Sequence, residues 1–329
     1  MSGRNTTAIA TSNIALIKYW GNRDNALRLP ANSSLSMNLA ALTTATTVEF
    51  ISSLDTDSVT IDDAEATAST RERVSTHLDR VRALASISLR ARIISRNNFP
   101  AGTGLASSAS AFAALTVAAC AAAGLQLSTD ALSRLARRGS GSACRSVPGG
   151  YVLWDACDDD DCSFGRTIAP PDHWDLRDVI AIVESAHKAI GSTQGHALAG
   201  TSPLQAARVA STPARLERCK TAILARDFSA LAEVIEQDAL AMHAVMMTGA
   251  PSLLYWRPAT LAVMQAIRAW RADGLAVAFT IDAGPNVHCI CPAESSAQVE
   301  HLARARSLRS AGVERILVSG VGEGSHLVA

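Results

Sequence analysis

Along the first half of the chain the period of the apolar positions changes repeatedly, and each change marks an element. Residues 7–17 and 43–51 are rich in β-branched and apolar side chains and read as strands. Residues 72–85 carry helical spacing, whereas Leu89, Ala91 and Ile93 alternate with Arg90 and Arg92, so residues 89–95 predict a half-buried strand. A turn at residues 100–104 precedes an alanine-rich run, 109–125. Ser110 and Thr116 interrupt that run and it follows a glycine loop, so it predicts a buried helix and not a membrane span. Ser128 and Thr129 are candidate caps for a helix over 130–138, and 151–154 predict a short strand.

The second half opens on an apolar strand, 179–183, followed by helices over 206–225, 228–247 and 258–273. Strands at 276–281 and 288–290, a helix over 296–310 and a strand at 315–318 complete it. Strands and helices mix in both halves, which predicts an α+β protein of two fused domains, residues 1–170 and 171–329, divided at Pro170 and Pro171.

Composition narrows the partners. The 329 residues are 48% hydrophobic and 18% charged, an ordinary globular balance, with a formal net charge of zero. Without a basic field neither nucleic acid nor a membrane surface is the expected partner, and a small molecule is. Only Lys18, Lys188 and Lys220 are lysines. The seven cysteines are odd in number and match no zinc spacing, so they read as scattered reduced thiols of a cytoplasmic protein. No signal peptide is recognisable, and the acidic stretch 155–162 reads as a solvated loop.

Four clusters carry candidate chemistry. PAGTGLASSAS, from Pro100 to Ser110, is a glycine–serine turn before a helix; free N–H groups and the helix dipole there favour phosphate, although such a turn is more often a plain helix start. It is neither a Walker loop nor a dinucleotide fingerprint. In NIALIKYWGNRD, from Asn13 to Asp24, Lys18 ends an apolar strand, where a lysine usually snorkels. In RGSGSACRS two serines precede Arg145, whose planar fork suits a carboxylate or phosphate. In TIDAGPN, Asp282 sits between a strand and a Gly-Pro turn, as either a turn former or a catalytic acid–base group.

Taken together, NIALIKYWG with LPANSSLS, NNFPAGTGLASSAS, RGSGSACRS with GGYVLW, GSTQGH, Met242-His243-Ala244 and DAGPN resemble the diphosphomevalonate decarboxylases of the GHMP small-molecule kinase superfamily. They occur in family order over nearly the whole chain. The resemblance implies two α/β sandwich-like domains with the active site in the cleft between them, ATP and Mg²⁺ as cofactors, and commonly a homodimer. It makes Pro100, Gly102, Gly104, Leu105, Ala106, Ser107 and Ser108 the ATP-phosphate loop, with Ser108 nearest the transferred group. Asp282 would orient or deprotonate the C3 hydroxyl, and Arg145, helped by Asn13, would hold the C1 carboxylate. Ser140 and Ser142 would bind substrate, with Lys18 and Tyr19 near the phosphates.

Two departures bear on the substrate. Many members read KYWGK where this chain has Asn22, and Gly191 and His196 replace the serine and methionine of the later segment. A lost cation makes a diphosphate expensive to desolvate. The expectation is therefore mevalonate 5-phosphate converted to isopentenyl phosphate. The alternative is the 5-diphosphate, with Lys188 compensating. A mevalonate 3-kinase that stops before decarboxylation, or a noncatalytic binding protein, fits less well because Arg145 and Asp282 are both present.

Overall fold

A computed structural model describes residues 5–99, 105–184 and 191–328. The chain runs β1 (Thr6–Ile17), β2 (Asn22–Asp24), β3 (Leu29–Pro30), β4 (Ser34–Ile51), β5 (Ser58–Ile61), β6 (Ala64–Glu65), α1 (Ala68–Ala85), β7 (Arg90–Asn97), α2 (Ser107–Ala122), α3 (Thr129–Gly139), β8 (Tyr151–Trp154) and β9 (Gly165–Ala169). It continues through β10 (Leu176–Ile182), α4 (Ser192–Leu198), α5 (Gln205–Ala225), α6 (Phe228–Thr248), α7 (Pro258–Ala272), β11 (Ala278–Thr280), β12 (Val287–Pro292), α8 (Ala293–Ala303), α9 (Arg306–Ala311), β13 (Arg315–Gly320) and β14 (His326–Leu327). The turn expected at 100–104 lies outside the described residues.

Strand β4 organises the first sheet. It pairs antiparallel with β1 along its length, with β7 through its second half and with β8 through its first. Val48, Phe50 and Ile93 pack on one face against Val74, Leu78, Phe112 and Leu135 of α1, α2 and α3. On the other face Ile14, Leu16, Leu35 and Met37 meet Ile223 and Ile235 of α5 and α6. The second sheet has the order β11-β12-β10-β13. In β10, Ile180 and Ile182 join that same core, while Val179 and Ala181 face Val263, Ile267 and Val299 of α7 and α8. A strand buried on both faces has no polar alternate positions, which is why it reads as a continuous apolar run. Helices α5 and α6 are thus the layer shared by both sheets, and the architecture is the α+β arrangement expected.

Differences from the sequence reading have local causes. The helix expected over 296–310 is two, α8 and α9, with Ala305 extended between them. Leu308, five residues past buried Ala303, would fall off the buried stripe of a continuous helix, and the break turns it into the core. The C-terminal β14 returns to the first sheet beside β1. The short polar elements β2, β3, β5, β6, β9 and α4 carry too few apolar positions to show a period.

The cysteine reading needs correction. Cys157 and Cys162 form a disulfide, with Cα atoms 6.1 Å apart across a turn, while Cys120, Cys144, Cys219, Cys289 and Cys291 are buried and free. The acidic loop around that disulfide is exposed but not loose. Arg134 pairs with Asp161, Arg137 and Arg138 with Asp160, and Arg166 with Asp155. Among the described residues no helix is long and apolar enough to cross a membrane.

Candidate active site

Lys18 follows β1 immediately, after a register shift between Ala15 and Ile17. It is 1% exposed, and its backbone is held from three sides. Its N–H donates to Asp238 Oδ2 at 2.6 Å. Its carbonyl accepts from Arg208 Nη2 and from Asn32 Nδ2, each at 2.8 Å. Arg215 Nε in turn donates to Asp238 Oδ1 at 2.7 Å. The shared helices α5 and α6 therefore clamp the end of a first-sheet strand. A buried ionic network of this kind is costly to assemble and costlier to break, so it defines one geometry.

That geometry aims Lys18 at Asp282. Nζ lies 2.5 Å from Asp282 Oδ1, so the lysine is ion-paired to the carboxylate. Burial pushes the Asp282 carboxyl up, but the Lys18 ammonium, then His288 and Arg145, outweigh it and hold the group below the usual carboxylate range. His243, in the Met242-His243-Ala244 segment, is pushed down to about 4 by burial and the Lys18 charge. It is neutral at ordinary pH, so its Nε2–H donates to the Asp282 carbonyl at 3.2 Å.

Arg145 is 2% exposed. Nη1 donates to Ser34 Oγ at 2.7 Å and Nη2 to Asn13 Oδ1 at 3.4 Å, while Nε is buried with no hydrogen-bond partner among the described residues. Asn13 is itself fixed, donating to Ser146 Oγ at 2.8 Å. A guanidinium with a buried, unused N–H fits an incoming carboxylate, because leaving that donor dry and unpaired costs free energy.

Two cavities meet beside these groups. The smaller, of about 90 Å³, is lined by Asn13, Lys18, Tyr19, Ser108, Ser140, Ser142, Arg145 and Asp282, so one space unites those candidates. The larger, of about 640 Å³, has Val59, Ile61, Ile93, Phe112 and Leu115 on its apolar side and includes Ser107. Ala106, Ser108, Ser192 and Thr193 line both. Ala106 holds φ at 51° to start α2, a backbone state that L residues adopt rarely, and Ser108 Oγ lies 3.2 Å from Ser140 Oγ. Leu105 does not line either space; it is a core residue whose carbonyl accepts from Ser12 Oγ. Pro100, Gly102 and Gly104 lie outside the described residues, as does Lys188.

Three comparisons bear on what this constellation is. Residues 10–165 match the model of the diphosphomevalonate decarboxylase-like N-terminal domain, and residues 178–315 that of the mevalonate 5-diphosphate decarboxylase C-terminal domain. The chain belongs to the diphosphomevalonate decarboxylase family. It is 38% identical to the diphosphomevalonate decarboxylase of Ganoderma lucidum over 327 residues, covering 92% of this chain and 82% of that one. It is 38% identical to the phosphomevalonate decarboxylase of Haloferax volcanii over 288 residues, 87% of each chain. A solved structure of MDDEF in complex with MVAPP, AMPPCP and magnesium matches with a TM-score of 0.91 and 34% identity over 98% of both chains. The two-domain GHMP-type fold of this decarboxylase family is therefore that of the chain.

Several site residues of this family member were invisible to sequence reasoning. Arg208, Arg215 and Asp238 lie on α5 and α6, and no spacing ties them to residue 18. His196 stacks on Tyr19 with ring centroids 4.0 Å apart, and its Nδ1 accepts from the Gly21 N–H. Only its departure from the family motif signalled it. Arg28, also in the smaller cavity, carried no signal at all.

Proposed function

We propose that the protein converts mevalonate 5-phosphate and ATP into isopentenyl phosphate, carbon dioxide, ADP and phosphate. The observation that carries the reaction class is the convergence of Lys18, Asp282 and Arg145 in one cavity that meets a second, larger one at Ser108. Bound ATP with Mg²⁺ supplies the phosphoryl group and the counter-charge on it. The larger cavity fits a nucleotide, with apolar walls for a base and Ser107, Ser108 and the first turn of α2 for phosphates. Magnesium keeps much of its shell from phosphate and water, so few protein ligands are needed.

The roles of the chain's own residues follow from their environment. A carboxylate held below its usual range is a weak base, so Asp282 orients the C3 hydroxyl by accepting its hydrogen bond; as the C3 oxygen bonds to the γ-phosphorus the bond to ADP breaks, and the hydroxyl proton passes by way of Asp282 to the phosphate that leaves later. Lys18 keeps Asp282 ionised and adds positive charge beside the transfer. Once phosphorylated, the C3 oxygen leaves as phosphate with its electron pair. The C1–C2 bond then breaks, its pair forms the C2–C3 double bond, and C1 departs as carbon dioxide. Arg145 holds C1 in the orientation that this fragmentation requires.

The monophosphate reading rests on Asn22. Tyr19 Oη hydrogen-bonds to Asn22 Oδ1, so the position that carries a lysine in many members is a neutral amide engaged with its neighbour. The Haloferax volcanii relative, named phosphomevalonate decarboxylase, supports the same reading. A second reading, the 5-diphosphate, is favoured by both matching domain models. Coupled assays of ADP and carbon dioxide on the two substrates separate them. Equal release with the monophosphate at the higher kcat/KM is expected. Higher efficiency on the diphosphate overturns the substrate choice, and ADP without carbon dioxide from either would make the protein a kinase.

A further inference from the structure

The phosphorylated end of the substrate has no assigned cation. Three cationic side chains line the smaller cavity: Lys18, Arg28 and Arg145. Lys18 is bonded to Asp282, and Arg145 to Asn13 and Ser34. Arg28 is different. Its Nε donates to the Arg138 carbonyl at 3.2 Å, and its guanidinium has no ion pair with any described carboxylate.

Its place in the fold explains how it reaches the cavity. Arg28 precedes β3 in the small β2–β3 hairpin, in which Asn22 pairs with Pro30 and Asp24 with Leu29. A φ of 53° at Arg28 turns the chain there. Asn22 and Arg28 are thus on opposite arms of one hairpin, and both sit close to Tyr19. Asn22 bonds to the Tyr19 hydroxyl, and among the charges acting on Tyr19 that of Arg28 is the largest, opposing the rise that burial imposes. The bond to Arg138 uses Nε, no described residue accepts a hydrogen bond from Nη1 or Nη2, and Arg28 lines the smaller cavity. A planar fork with two spare nitrogens matches the oxygens of a phosphoryl group.

We infer that Arg28 is the specificity-determining cation of this site, binding the 5-phosphoryl group in place of the cation missing at Asn22. The inference rests on a phosphorylated mevalonate as substrate, but not on which of the two it is. Positive charge has moved from one arm of the hairpin to the other, so the phosphoryl group is gripped from the side of α3 and not from the side of β2. Ser140, next to the α3 carbonyl that anchors Arg28, would contribute a hydroxyl to the same group.

The test compares wild type, Arg28→Met, Arg28→Lys and the double variant Asn22→Lys/Arg28→Met, with KM measured for both phosphorylated mevalonates and for ATP. Arg28→Met should raise KM for the preferred phosphorylated substrate roughly 30- to 100-fold, as expected for losing one charge-assisted contact, while KM for ATP stays within about twofold. Arg28→Lys should recover part of the loss, and the double variant should shift preference toward the diphosphate. An unchanged substrate KM in a folded Arg28→Met protein overturns the inference. So does a parallel rise in KM for ATP, which would assign Arg28 to the nucleotide. If wild type prefers the diphosphate and Arg28→Met raises KM for that compound, the monophosphate reading falls and this inference stands. If wild type turns over neither substrate, titration calorimetry of the two mevalonates with wild type and Arg28→Met decides it: weaker binding to the variant supports it, equal binding overturns it.

Discussion

At the scale of single residues the site is governed by which partner holds each charge. Lys18 is buried and Asp282 half-buried, and they hold one another, so each is sensitive to loss of the other. Lys18 is what keeps the Asp282 carboxyl low, so its removal lets burial raise that pKa. In the role proposed for Asp282, activity needs the ionised carboxylate, which exists above the pKa. In Lys18→Met the acid limb of kcat/KM against pH should therefore move to higher pH, on top of a loss of roughly 10²- to 10³-fold in kcat. An acid limb that stays in place would separate Lys18 from Asp282 in function. Arg145→Lys tests a different step. A lysine keeps the charge but loses the planar fork that aligns a carboxylate. Carbon dioxide released per ADP should fall below one, with ADP formation less affected; a ratio of one would mean that Arg145 does not steer the fragmentation.

Individual elements owe their limits to caps and close contacts that the chain carries locally. Ser128 caps α3, its hydroxyl accepting from the Ala131 N–H, and Arg137 and Arg138 in the last turn answer the dipole at the other end. Ser128→Ala should cost about 1 kcal/mol in urea unfolding with little change in activity, since the cap lies far from Ser140 in the helix. A loss near zero would mean that packing of α3 alone sets its start. The following turn depends on Gly141, where a Cβ would come within 2.6 Å of the Tyr19 ring. That glycine lets the serine-bearing turn approach the aromatic wall of the cavity.

For the whole molecule the decisive contact is between the shared helices and the end of β1. Asp238 is fully buried, pairs with Arg215 and takes the Lys18 N–H. Asp238→Ala would leave Arg215 buried without its partner, at a cost of about 3–5 kcal/mol, visible as a lower denaturant midpoint. It should also lower kcat, because Lys18 loses one of its three backbone anchors; an unchanged midpoint would sink that account. The same contact shows where sequence reading stops. Strand β7 and helices α3, α5, α6 and α7 bury a face or stripe that their own residues spell out, whereas β1, β8 and α2, buried nearly all round, were legible from apolar composition and the turns that bound them. The residues around the smaller cavity were legible as motifs, since backbone turns and charged groups there occur in compact clusters. The Lys18–Asp282 pair spans 264 positions, and Arg28, Arg208 and Asp238 reach the site only through sheet pairing and helix packing. The Cys157–Cys162 disulfide likewise depends on a turn that no apolar period announces. Period and motif determined by themselves which elements form and which side chains can do chemistry. Which of those side chains meet, and with what charge, was decided only by the tertiary structure, because the pairings join segments whose separation in sequence carries no record of their distance in space.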